Sequence, residues 1–73
     1  MATLQQLRQR RMLTQKELAA NVGVSYQAVQ LWESGQNRPR PGAQRRLVEV
    51  LGVEPGELLA ALDQTAAEGK VAA

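Results

Sequence analysis

At 73 residues the chain has room for one small domain, and an apolar content of 44% supplies one core and exceeds what a disordered tail carries. It holds no cysteine and no histidine, and its two serines, Ser25 and Ser34, have no imidazole to activate them, so disulfide scaffolds, structural zinc sites and hydrolase triads are excluded. The net charge of +2 conceals a polarity: residues 1–46 hold eight arginines and lysines against two glutamates, and residues 47–73 hold one lysine against five carboxylates.

Leu4 and Leu7 stand three apart and precede a basic run, Arg8, Arg10 and Arg11, which predicts a first helix over roughly residues 2–11. Thr14-Gln-Lys-Glu17 is a capping box: a hydroxyl at the N-cap, a carboxylate three residues later. It opens a second helix with Leu18, Ala19 and Val22 on one side, closed by Gly23. Ser25 caps a third helix, about 26–34, which stops at Gly35. Arg38-Pro39-Arg40-Pro41-Gly42 is a loop, because proline is excluded from a helix interior. A fourth helix, about 41–51, turns Leu47, Val50 and Leu51 inward and ends at Gly52. Pro55 starts a fifth, with Leu58, Leu59 and Leu62 as its apolar side. After Asp63 no periodic stripe remains, so the domain is expected to span 1–63 and residues 64–73 to form a short, fraying tail. The class is all-α: a compact bundle of five helices.

Residues 14–35 read as capped helix, short glycine turn, capped helix, the outline of a helix-turn-helix. In such a unit the second helix enters the DNA major groove, its N-terminal residues nearest the bases. At about 100° per residue, setting Val29 inward places Trp32 and Glu33 within about 60° of it and Gln27, Leu31 and Ser34 within about 40° of the opposite direction. Gln30 falls on the flank and Tyr26 at the helix start. The outward face is therefore polar and uncharged. Glutamine pairs bidentately with adenine N6 and N7, and an apolar side chain meets the thymine methyl. Leu31 on that face is read as such a contact, and Trp32 as a core anchor.

The run LRQRRMLTQKELAANVGVSYQAVQLWESGQNRPRP, followed by LVEVLGVEPGELL, resembles the lambda-repressor and Cro-type helix-turn-helix family, also called the xenobiotic response element class of bacterial and phage regulators. The likeness covers about residues 4–62. It implies a lambda repressor-like fold, with a phosphate clamp at Gln15 and base-reading positions at Tyr26, Gln27, Gln30 and Leu31. It implies basic groups after the recognition helix at Arg38 and Arg40, and an internal ion pair between Arg8 and Glu33. Lys16, Ser25, Ser34 and Asn37 complete the expected backbone contacts. Met12 departs from the pattern, standing where the family often has glycine; the turn there is expected to form without positive φ. Tyr26 and Leu31 stand where polar or basic residues are common.

The expected function is sequence-specific binding of double-stranded DNA as a transcriptional regulator, a repressor by preference, acting as a homodimer on a pseudo-palindromic operator. The self-contact is expected on the fifth helix and the acidic end, weak or induced by the operator. An antitoxin or protein–protein adaptor on the same fold is the alternative, with Tyr26 and Leu31 as partner contacts. No titratable cluster has catalytic spacing, so no enzyme is expected, and no cofactor, metal or small-molecule ligand. No run approaches the ~20 apolar residues of a membrane span, and the N-terminal residues lack a signal-peptide pattern. The expected location is the cytoplasm of a bacterium or of a phage host, at the nucleoid.

Overall fold

Three helix starts in this chain are set by hydroxyl caps, and prolines, Pro41 and Pro55, open the other two. Thr3 Oγ1 accepts from the Gln6 N–H at 3.3 Å, and Gln6 Oε1 accepts from the Thr3 N–H at 2.9 Å. Thr14 and Glu17 exchange the same two bonds at 3.1 and 2.9 Å, and Ser25 Oγ accepts from the Ala28 N–H at 3.1 Å. Each cap satisfies donors that the first helical turn leaves without partners. The computed structural model describes residues 2–71 and places five helices there. They are α1 (Leu4–Arg10), α2 (Gln15–Val22), α3 (Tyr26–Glu33), α4 (Pro41–Leu51) and α5 (Pro55–Val71). None is long and apolar enough to cross a membrane.

The core is one cluster to which every helix contributes, with Leu4, Leu7, Leu18, Val29, Leu47 and Leu58 fully buried. Trp32 joins it from α3. Leu13, Val24 and Val53 pack against it from the connections, partly exposed. Leu59, expected on the apolar side of α5, faces solvent instead.

Two further expectations are corrected. Met12 adopts φ 58°, the left-handed conformation, without the benefit of glycine. Arg11 ends α1, and the Met12 and Leu13 N–H groups then fold back onto Gln9 O and Arg8 O at 2.9 and 3.3 Å, a Schellman pattern that needs a left-handed residue at position 12. The Arg8 side chain also donates from Nη1 to Leu13 O at 2.8 Å. The turn is thus held from both sides, and these bonds outweigh the local preference of methionine.

The second correction concerns the chain end. Residues 64–71 continue α5 rather than leaving it near Asp63; Ala72 and Ala73 lie outside the described residues. The continuation packs through small residues. Thr65 is buried, its Oγ1 accepting from the Leu4 N–H at 2.9 Å and donating to Ala61 O at 2.8 Å. That bond satisfies one more open donor at the start of α1. Further along, α5 crosses the end of α3 almost backbone to backbone. A Cβ at Gly69 would lie 2.5 Å from Ser34 O, and one at Gly35 2.9 Å from Thr65 O.

Candidate nucleic-acid interface

The helix-turn-helix is α2, the turn Gly23-Val24-Ser25, and α3. Gly23 takes φ 84° and closes α2, with its own N–H and that of Val24 both donating to Ala19 O. This sharp reversal sets α3 across α2. The buried side of α3 is Val29 and Trp32, the latter 6% exposed. The solvent side is Tyr26, Gln27, Gln30 and Leu31, all exposed, with Tyr26 at 40% and Leu31 at 37%. A face of two glutamines, a phenol and a leucine offers donors, acceptors and apolar surface without net charge.

Glu33 is turned back into the protein and fixes α3 against both preceding helices. Its Oε2 accepts from Arg8 Nε at 2.6 Å, and its Oε1 accepts from Arg8 Nη2 at 3.1 Å and from Gln15 Nε2 at 3.0 Å. The two-pronged guanidinium contact is the strong geometry for this pair. Gln15, at the first position of α2, is therefore held by the same carboxylate, half-buried and oriented.

Gln15, Lys16 and Tyr26 line one surface depression, together with Gln5, Arg8 and Thr14. Lys16 Nζ lies 5.5 Å from the centroid of the Tyr26 ring, within cation–π range. The depression sits at the start of α2, where unbonded N–H groups and the helix dipole favour an anion. Gln5 was not singled out from the sequence; its exposed place beside the Leu4–Leu7 stripe is the signal that could have found it.

The remaining candidates lie at the two ends of α3 and in the loop that follows it. Ser25 Oγ is occupied as the cap of α3, and Ser34 Oγ donates to Leu31 O at 3.0 Å. The N–H groups of Gln36 and Asn37 both donate to Leu31 O, at 3.1 and 3.2 Å, which fixes the outgoing loop on the end of α3. Asn37 and Arg40 are exposed, and Arg40 immediately precedes α4. Arg38 is not free: its Nη1 donates to Asp63 Oδ1 on α5 at 2.8 Å. Arg10 is likewise paired with Glu57 of α5, at 3.2 Å. Part of the charge polarity seen in the sequence is thus cancelled within the fold.

Residues 4–58 match the family model described as helix-turn-helix. No curated protein and no solved structure gives a significant match.

Proposed function

The chain belongs to the helix-turn-helix family of xenobiotic response element and lambda repressor-type regulators, which are DNA-binding proteins, and from that premise we propose that it is a transcriptional repressor reading the major groove with α3. The exposed, uncharged strip Tyr26-Gln27-Gln30-Leu31 over a buried Val29–Trp32 side carries the reading. Gln27 and Gln30 pair with base edges, and Leu31 meets a thymine methyl. Tyr26 is steadied by Lys16 at the groove floor.

Gln15, Lys16, Ser25, Ser34, Asn37, Arg38 and Arg40 hold the phosphate backbone, which sets register without carrying sequence information. One eight-residue helix reaches few base pairs. Selectivity follows from two copies on a pseudo-palindrome with half-sites about 34–36 Å apart. The self-contact belongs on α5, where exposed Leu59 borders an apolar groove formed with Pro41, Val48, Pro55 and Leu58. The protein works in the cytoplasm, at the nucleoid.

Selection of bound duplexes from a random pool tests this reading. A DNA reader enriches a two-fold motif and loses affinity steeply as salt rises. An adaptor that keeps the fold without reading DNA enriches none.

A further inference from the structure

The Arg38–Asp63 pair has a consequence for affinity that rests on the DNA-binding reading above. We propose that Asp63 is an internal competitor of the DNA phosphate for Arg38, and so sets how tightly and how salt-dependently the domain binds any duplex.

The loop geometry makes the competition a matter of side-chain rotation. Gln36 and Asn37 are tied by their N–H groups to Leu31 O, and Pro39 O accepts from Gln44 Nε2 at 2.9 Å. The backbone on both sides of residue 38 is therefore fixed, directly after the recognition helix. From that anchor the guanidinium reaches α5, meeting Asp63 through a single contact at 2.8 Å. The side chains are 46% and 72% exposed, so water screens the pair and a one-pronged exposed contact is weak. A phosphate, which takes the guanidinium fork with two parallel bonds, displaces it.

The exchange is incomplete in its benefit. Once Arg38 turns to the phosphate, Asp63 is left without its partner close to a second anion. Its charge opposes binding over the ~10 Å that salt leaves unscreened. Arg40, two residues on, is exposed and has no ion-pair partner among the described residues, so it has no such partner to give up. Glu57 is the natural control. It too is an exposed α5 carboxylate holding an arginine, but Arg10 is on α1, outside the proposed contact set.

The experiment measures affinity for a random-sequence duplex across a salt series for wild type, Asp63→Asn, Glu57→Gln, Arg38→Ala and the Arg38→Ala/Asp63→Asn double variant, after circular dichroism shows native helix content. Asp63→Asn should bind about 3–10-fold tighter near 50 mM salt and steepen the salt slope by up to about 0.9, one phosphate contact. Glu57→Gln should gain clearly less, and the gain from Asp63→Asn should shrink, to what removing an α5 negative charge gives by itself, when Arg38 is already alanine. An Asp63→Asn gain that is absent, matched by Glu57→Gln, or undiminished in the Arg38→Ala background overturns the competition while leaving DNA binding intact. Failure of the wild type to form any salt-sensitive complex with duplex overturns the DNA reading and the competition together.

Discussion

Arg8 and Glu33, 25 positions apart in the chain, meet as a two-pronged pair at 2.6 and 3.1 Å with side chains only 10% and 6% exposed. The pair joins α1 to the end of α3 and, through Gln15, to the start of α2. A buried ion pair adds little net stability over apolar replacements, but removing one partner strands a charge. Arg8→Ala is expected to destabilise the fold by about 3–5 kcal/mol, since it also releases Leu13 O. The paired replacement Arg8→Met/Glu33→Leu should cost markedly less than Arg8→Ala. Urea unfolding of the two variants checks the order.

Met12 carries the strain that glycine relieves at Gly23, Gly35 and Gly52. Its side chain is 89% exposed, so little packing is lost by deleting it. The left-handed conformation costs an L-residue about 1–2 kcal/mol, and the greater freedom of glycine in the unfolded chain offsets part of the relief. Met12→Gly should therefore stabilise by about 0.5–1 kcal/mol and raise Tm by about 2–8 °C. A thermal melt showing a lower Tm would mean that the turn is not strained.

Gly69 reverses the usual sign of a helix substitution. Glycine to alanine inside a helix ordinarily stabilises by about 1 kcal/mol. Here the added methyl would lie 2.5 Å from Ser34 O, a backbone atom that cannot swing away. Overpacking of this kind costs about 1–3 kcal/mol. Gly69→Ala should lower Tm, whereas Gly56→Ala, with open space around the new methyl, should not. Equal melting of the two variants would contradict the close crossing of α3 and α5.

Much of the helical layout was legible because its signals are local. The Thr14–Glu17 box, the Ser25 cap and the glycines at 23, 35 and 52 each act within three or four residues of the helix end they define. Helical angle put Gln27 and Leu31 on the solvent side of α3 and turned Glu33 inward, while the exposure of Tyr26 follows from its place at the helix start. What escaped the sequence depends on distant partners. The second half of α5 presents Ala61, Thr65 and Gly69 where an apolar stripe was sought, and small residues suffice only because Gly35 lets the backbones approach. The φ of Met12 belongs to a turn clasped by the Arg8 side chain, which Glu33 of α3 holds in place. Arg38 reads as a free cation until α5 brings Asp63 beside it.

The central claim is that the exposed strip of α3 reads bases while its flanks hold phosphates. The most direct test is the affinity of Gln27→Ala and Arg40→Ala for the selected duplex and for a random one. Gln27→Ala should lose about 1–3 kcal/mol on the selected duplex alone, with relaxed preference at one base pair. Arg40→Ala should weaken both duplexes alike and reduce the salt slope by about one. Equal losses on the two duplexes for Gln27→Ala would contradict base reading by this face.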